Sequence, residues 1–254
     1  MKEKGDNIYV VFSGHMCTGK DTIIEILEKR GNLPKIAGPN AKVHILSEAV
    51  NHDQDVLASF YKNMEDTTEF FELGTLCFRS VLSSIISKVR GIVVGNRHVI
   101  EARQTFVEHS RSLKNEDKRF FDETATGVYD MLLRRAIEKG IIPIPEIVFF
   151  LFVDDDNILI ERNKKRNDPG EKSIDPEYIK NLSVYFENYR KNFADIYNFF
   201  GVPVPKLVEI NTSVDLFQDE QALQQIAERC EDEIRKAYAK KRRSLFDFDE
   251  QKLI

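Results

Sequence analysis

Gly14-His-Met-Cys17-Thr18-Gly19-Lys20-Asp21-Thr22 is the stretch of this chain with the plainest chemical purpose. Two glycines with four residues between them, followed at once by lysine, let successive backbone N–H groups converge on one point. A helix N-terminus beginning at the same place adds its partial positive charge, and a phosphate chain is the ligand that such a cradle stabilises. Lys20 would reach the β- and γ-phosphates as a mobile point charge. The pattern departs at Asp21, where such loops usually place Ser or Thr as a Mg²⁺ ligand. Asp can still reach the metal directly or through water, and Thr22 offers a hydroxyl one residue later. Gly14, Cys17, Thr18, Gly19, Lys20, Asp21 and Thr22 are therefore expected to hold a nucleoside triphosphate, with Asp21 and Thr22 nearest its Mg²⁺.

Such a loop works only if a strand enters it and a helix leaves it. Ile8–Ser13 is a continuous apolar run, and Ile23, Ile24, Ile26 and Leu27 give the following segment a helical apolar stripe. Four further Val-, Ile- and Phe-rich runs read as strands: Val43–Ser47, Gly91–Gly95, Ile147–Val153 and Leu207–Ile210. Their lack of alternation suits strands covered on both faces of a parallel sheet. Helical patterns separate them over Thr22–Lys29, Gln54–Tyr61, Thr68–Val89, Glu116–Lys139, Asp156–Lys165, Pro176–Phe200 and Leu216–Lys240. Alternation of this kind predicts an α/β fold, doubly wound, with ligands beyond the carboxyl ends of the strands. No repeat or linker divides the 254 residues, so one domain is expected.

Composition narrows the partners. Net charge is −5, so nothing global suggests a nucleic-acid binder. The three cysteines (Cys17, Cys77, Cys230) show no metal or disulfide spacing. A polar start, Met1-Lys-Glu-Lys-Gly-Asp, has neither a signal peptide's apolar region nor an Arg-rich transit helix. No apolar run is long enough to span a bilayer. These features predict a cytoplasmic protein that binds neither membrane nor nucleic acid. A nuclear role stays open because of the basic run Lys240–Arg243.

Other candidates sit just past strand ends. Glu48 follows the second strand and suits a general base, a structural cap or a Mg²⁺ ligand. Arg97 follows the third. Arg162 and Arg166 lie four apart on one helical face, so both can point at the same phosphates, or simply at water. The turn Asn167-Asp168-Pro169-Gly170 after them would suit a hinged lid.

Several of these segments, in order, resemble the deoxynucleoside kinases, the family of deoxycytidine, deoxyguanosine, deoxyadenosine and mitochondrial thymidine kinases. Leu46-Ser-Glu48-Ala-Val50 is similar to the family's Glu-Pro-Val. Leu57 to Asn63 and Phe70-Phe71-Glu72 are similar to its Phe-Tyr-x-Asp-Pro and Phe-Gln. Asn96-Arg97-His98 falls where it has Glu-Arg-Ser. Ala102-Arg103 and Phe106-Val107-Glu108-His109 keep that register, the latter close to Phe-Val-Glu-Asn. Glu161 to Glu171 and Tyr178 to Leu182 resemble its lid and following helix. The match runs from about Ile8 to Phe200. It implies a P-loop NTPase-like five-stranded parallel sheet of order 2-3-1-4-5, helices on both faces, a lid over 162–171, and transfer of phosphate from ATP with Mg²⁺ to a deoxynucleoside 5′-hydroxyl. By the same resemblance Glu48 is the base and Arg97 stabilises charge on the transferred group beside Lys20. Tyr61 and Glu171 hold the 3′-hydroxyl, and Phe71 stacks on the base. Plain helix packing is the alternative for Tyr61 and Phe71.

The departures bear on substrate. Glu72 stands at the family's base-reading Gln, and an ionised carboxylate only accepts hydrogen bonds. Arg79, seven residues on, shares its helical face. Arg there goes with the deoxycytidine and purine kinases, and Ala102 replaces that Arg's usual Asp partner, leaving room. An amine-bearing base follows: deoxyadenosine first, deoxycytidine or deoxyguanosine next. Asn96 replaces a Glu, Asp168 a second lid Arg, and Asp53 a Trp beside the sugar. A nucleoside monophosphate kinase of the thymidylate type, or a kinase-fold subunit that no longer catalyses, are the alternatives. The family's habit implies a homodimer or higher homo-oligomer through Thr68–Val89 and Glu116–Lys139. The tail over 241–254, with Leu245, Phe246 and Phe248, is a further candidate for contact with a neighbouring copy.

Overall fold

β1 (Asn7–Gly14) is buried at every position, and its alternation assigns its two faces to different helices. Ile8, Val10 and Phe12 join one cluster with Ile23 and Leu27 of α1 (Lys20–Arg30). Ala227, Cys230 and Ile234 of α11 (Glu220–Glu250) complete that side. Tyr9 and Val11 turn the other way, toward Ile86 of α4 (Met64–Ile86). A strand with apolar layers on both sides needs hydrophobic residues at consecutive positions, which is why its sequence does not alternate.

In this computed structural model, which describes residues 7–39, 41–46, 54–115, 118–166, 174–216 and 218–250, β1 lies at the centre of a five-stranded parallel sheet. β3 (Gly91–Asn96) pairs on one side, with Phe12 opposite Asn96, and β2 (Lys42–Leu46) lies beyond it. On the other side come β6 (Ile147–Phe152) and β7 (Lys206–Asn211). The order β2-β3-β1-β6-β7 is the expected 2-3-1-4-5 once the short pair β4 (Lys114–Asn115) and β5 (Lys118–Arg119) is set aside. Because β1 and β3 end together, the loop after Gly14 and the turn carrying Arg97 leave one edge side by side. α8 (Asp156–Arg166), α9 (Pro176–Lys191) and α10 (Phe193–Phe199) cover β6 on the α4 side, through Ile160, Leu182, Phe186 and Tyr197. Among the described residues, no helix is long and apolar enough to cross a membrane.

Several boundaries differ from the sequence reading, each for a local reason. α2 (Leu33–Ala37) is a one-turn helix opened by Pro34. α3 spans Gln54–Lys62. Residues 99–112 form a helix that the apolar pattern alone did not single out. It runs as α5 (Val99–Ala102), a π turn (Arg103–Val107) and α6 (Glu108–Ser112). α7 (Glu123–Glu138) starts seven residues after the expected Glu116, because β4 and β5 pair first and the Asp122 carboxylate then accepts the Ala125 N–H at 2.8 Å. The segment expected as one helix over Pro176–Phe200 breaks at Asn192, which ends α9 and opens α10. The last helix, expected over Leu216–Lys240, instead runs as α11 from Glu220 to Glu250, and Lys241 is paired with Glu146.

Gly14 shows how tightly the strand end is set. Its φ is +126°, and a Cβ there would stand 2.2 Å from the Leu151 carbonyl oxygen of β6. Gly14→Ala should therefore cost at least about 3 kcal/mol through combined backbone strain and overlap. Loss of the Asp122 cap in Asp122→Ala should cost only about 1 kcal/mol. Urea unfolding midpoints measure both, and a Gly14→Ala loss no larger than that of the cap variant would contradict the close β1–β6 approach.

Candidate active site

A cavity of about 760 Å³ opens at the carboxyl edge of the sheet. The phosphate loop forms one end. Cys17 (φ 59°) and Gly19 (φ 90°) bend it through left-handed conformations, and a Cβ on Gly19 would meet the Leu216 side chain at 2.4 Å. The left-handed backbone at 19 thus calls for glycine, and a larger residue would also displace the Leu216 methyl. Lys20 is buried, and its Nζ donates to the carbonyls of Gly14 (3.0 Å) and His15 (2.7 Å). Thr18 Oγ1 donates to the His15 carbonyl at 2.8 Å, so that hydroxyl shapes the loop rather than its ligand. His15 itself is held neutral, because burial pushes its imidazole down to about 3; its Nε2 lies 3.0 Å from the Ile179 carbonyl of α9.

Arg97 sits at φ 64°, a strained conformation for a residue with a side chain, and it is nearly fully buried. Its Nη1 donates to the Gly14 carbonyl (2.8 Å) and to Glu101 Oε1 (3.2 Å). The rings of Phe106 and Phe186 lie 4.8 and 5.5 Å from the guanidinium carbon. Glu101 Oε1 also accepts the Gly14 N–H at 3.2 Å, so one carboxylate oxygen ties the arginine to the start of the loop.

Arg162 is placed differently from the expectation that it points at phosphates. Its guanidinium donates to three main-chain carbonyls: Cys17 (3.3 Å), Thr212 (2.6 Å) and Val214 (2.7 Å). It clips the phosphate loop to the segment after β7. Arg166, one turn on, instead approaches Asp21 Oδ2 at 3.9 Å, while Asn96 Nδ2 donates to Asp21 Oδ1 at 2.7 Å.

The other end of the cavity is aromatic. Phe71 stacks on Phe60 with centroids 4.1 Å apart, and Tyr61 meets Tyr178 edge-on at 5.8 Å. Glu72 faces this end from α4 with Arg79 near it. Burial pushes the Glu72 carboxyl up to about 7, only partly opposed by Arg79. At neutral pH it is therefore divided between an acid that donates and accepts and a carboxylate that only accepts.

The cavity thus brings together Cys17, Gly19, Lys20, Asp21, Thr22, Arg162 and Arg166 of the donor set. It also takes in Tyr61, Phe71, Glu72, Arg79 and Arg97 of the acceptor set. Gly14 and Thr18 shape the loop without lining the space. Ala102 is buried on α5 and does not reach the cavity, whose wall on this helix is Phe106. Glu48, Glu171, Asp168 and Asp53 lie outside the described residues, as do positions 167–171 of the segment 162–171 expected as a lid. Sequence reasoning missed Phe60, Phe106, Tyr178 and the segment Ser213–Leu216 of the cavity wall, and Glu101 behind it. Ser213–Leu216 had a signal, because it follows the carboxyl end of a parallel strand. Phe106 and Tyr178 lay inside matched stretches, whereas Glu101 had no signal.

The loop fits a nucleoside triphosphate on this structure's own terms. Left-handed Cys17 and Gly19 bend the loop around one end of the cavity, and Lys20, Arg97, Arg166 and Lys165 line the same space in a chain of net negative charge. Asp21 offers the only carboxylate on that loop.

Glu72 also makes a stability prediction. Between pH 4.5 and 7 the folded chain retains a proton that the unfolded chain has released, so its stability falls as pH rises through this window. Glu72→Gln removes that loss. Its advantage over the parent in thermal unfolding should be near zero below pH 4.5 and grow to about 3 kcal/mol above pH 7. A difference that is flat with pH would refute it.

The model of the family described as deoxynucleoside kinase matches residues 10–235. Among solved structures, the chain is similar to deoxyadenosine kinase from M. mycoides with bound dATP, at TM-score 0.66 and 20% identity, covering 87% of this chain and 98% of that one. A second structure of that protein, with products dCMP and a flexible dCDP bound, aligns at TM-score 0.65 and 20% identity over 88% and 98%. A third, with bound dCTP, aligns at TM-score 0.62 and 20% identity over the same shares. No curated protein sequence matches. The structural likenesses speak for the fold, and the family match spans the phosphate loop, the Arg97 turn, α8 and β7 together. This chain belongs to the deoxynucleoside kinase family and is a phosphotransferase that acts on deoxynucleosides.

Proposed function

We propose that this kinase transfers the γ-phosphoryl of ATP, with Mg²⁺, to the 5′-hydroxyl of a deoxynucleoside whose base carries an exocyclic amine, deoxyadenosine before deoxycytidine, with deoxyguanosine after. The carrying observation is one cavity that holds Lys20 and Arg97 at one end and Glu72 and Arg79 at the other. ATP supplies the phosphoryl group and Mg²⁺ neutralises part of its charge, so the protein's task is positioning and electrostatics. Lys20 and Arg97, already oriented by loop carbonyls, offer positive charge without reorganising. Glu48, two residues past the end of β2, is the base that takes the 5′-hydroxyl proton. Tyr61 and Glu171 hold the 3′-hydroxyl.

Glu72 supports the choice of base. As a neutral acid it can accept from an exocyclic N–H and donate to the neighbouring ring nitrogen. Adenine and cytosine both present that donor–acceptor edge. As a carboxylate it keeps only the first contact. The structurally similar M. mycoides deoxyadenosine kinase, whose solved structures hold dATP, dCTP and dCMP, is consistent with both bases.

The test is turnover of labelled ATP with Mg²⁺ over panels of deoxynucleosides and monophosphates. Deoxyadenosine should show the highest kcat/KM, and Lys20→Ala and Glu48→Gln should each lower kcat by about a thousandfold. Turnover on monophosphates alone would replace this reading with a thymidylate-type kinase. ATP binding without turnover would end it. Glu101→Gln keeps an acceptor for the Gly14 N–H but removes the charge facing Arg97. It should lower kcat about tenfold while KM for the nucleoside changes less than about threefold. An unchanged kcat would show that the Glu101–Arg97 contact does not serve catalysis.

Assembly belongs to the same reading. α4 and α7 (Glu123–Glu138) share a core through Leu76, Tyr129 and Leu133, yet expose Phe70, Phe78, Val81 and Ile85 on one helix and Val128 and Met131 on the other. A second copy seated on this face would bury that apolar surface. Val81→Glu combined with Met131→Glu should convert the dimer to a monomer by light scattering. An unaltered mass would place the interface elsewhere.

A further inference from the structure

Two departures from the family meet in space. Asp21 occupies the loop position where Ser or Thr ordinarily serves Mg²⁺, and Asn96 occupies the strand end where the family has Glu. Their positions in the chain differ by 75, yet Asn96 Nδ2 donates to Asp21 Oδ1 at 2.7 Å. The family's pair has a neutral oxygen on the loop and a carboxylate on the strand. This chain has the carboxylate on the loop and a neutral amide on the strand.

We propose that the two residues have exchanged roles at the divalent-cation site, with Asp21 its charged ligand and Asn96 the positioning residue that orients Asp21. The proposal rests on reading the loop as a Mg²⁺–nucleotide site, and it makes the paired changes a compensation rather than a loss.

Three features of the geometry carry it. First, a Glu at 96 beside Asp21 would set two carboxylates at hydrogen-bond distance, where like charges repel. An amide removes the repulsion and supplies a donor. Second, donation from Asn96 fixes Oδ1 and leaves Oδ2 toward the cavity side, where Arg166 approaches at 3.9 Å. That pair is half-exposed, 41% for the arginine and 57% for the aspartate, so it is weak and a divalent ion can displace it. Carboxylates that bind metal are ordinarily held by a hydrogen bond of this kind from behind. Third, Asn96 is 7% exposed, and its Oδ1 accepts no hydrogen bond among the described residues. A buried acceptor in that condition is matched by a donor such as a water bound to the cation.

The exchange predicts that moving the carboxylate back preserves the site. Mn²⁺ affinity in the presence of a non-hydrolysable ATP analogue, read from the loss of the free-ion electron paramagnetic resonance signal, reports it without turnover. Asp21→Ser should weaken Mn²⁺ binding at least tenfold, and Asn96→Ala about fivefold. The double variant Asp21→Ser with Asn96→Glu should return to within about threefold of the parent. Asp21→Asn, which keeps the side chain's shape and its place in the first turn of α1, should lose as much as Asp21→Ser, so a folding defect in one variant does not decide the result. A double variant no better than Asp21→Ser, or single variants that bind as the parent does, would overturn the exchange alone. A parent that binds no Mn²⁺ with nucleotide would overturn both the exchange and the nucleotide reading.

Discussion

The site depends on cations anchored by main-chain carbonyls. Lys20 donates to Gly14 and His15, Arg97 to Gly14, and Arg162 to Cys17, Thr212 and Val214. A carboxylate partner would fix an arginine equally well but cancel its charge. A carbonyl dipole orients Lys20 and Arg162 and leaves most of their charge to the cavity, whereas Arg97 also faces the Glu101 carboxylate at 3.2 Å. A chain with net charge −5 can thereby sustain a positive pocket at one sheet edge. It also explains why loop geometry matters so much, since the carbonyls that hold the cations are displayed by a backbone with three left-handed residues at 14, 17 and 19. Displacing Gly14 would move the anchors of two cations at once.

That anchoring also distributes labour among neighbouring basic residues. On α8, Arg162 is committed to three carbonyls and so ties the helix, the loop and the segment after β7 into one body. Arg166, one turn further, makes a solvated contact with Asp21. The same helical spacing that put both on one face therefore carries two functions. Glu101 is the counterpart on the acceptor side. It holds Arg97 and the Gly14 N–H with one oxygen, and the π turn that follows brings Phe106 onto the guanidinium. Irregular helical turns of this kind concentrate at functional sites because they re-aim a side chain that regular spacing would send elsewhere.

Glu72 illustrates how burial revises a reading made from residue type. Taken as ionised, it could only accept hydrogen bonds, which narrowed the base to one with an exocyclic amine. Set in an aromatic pocket, it shares its proton with water near neutrality and regains much of the donor–acceptor character of the amide it replaces. The amine-bearing edge proposed for the base would then meet two contacts in place of one.

What the chain's residues determined alone was local. The phosphate loop was legible because strand, glycines, lysine and helix follow one another within a few residues. The parallel sheet was legible because strands covered on both faces must be apolar throughout. Even the strand order came through the family resemblance carried by those short segments. Misplaced boundaries arose where short-range chemistry outweighed periodicity, as at the Asp122 cap and the Asn192 break. Only the tertiary structure decided which distant groups meet. Asn96 lies against Asp21, Arg162 against Thr212, and Glu101 against the Gly14 N–H, across 75, 50 and 87 positions of chain. Such contacts are set by parallel register and by helices crossing between strands. A charge at 21 therefore acquires its meaning from what stands at 96, and no pattern of neighbouring residues records that pairing.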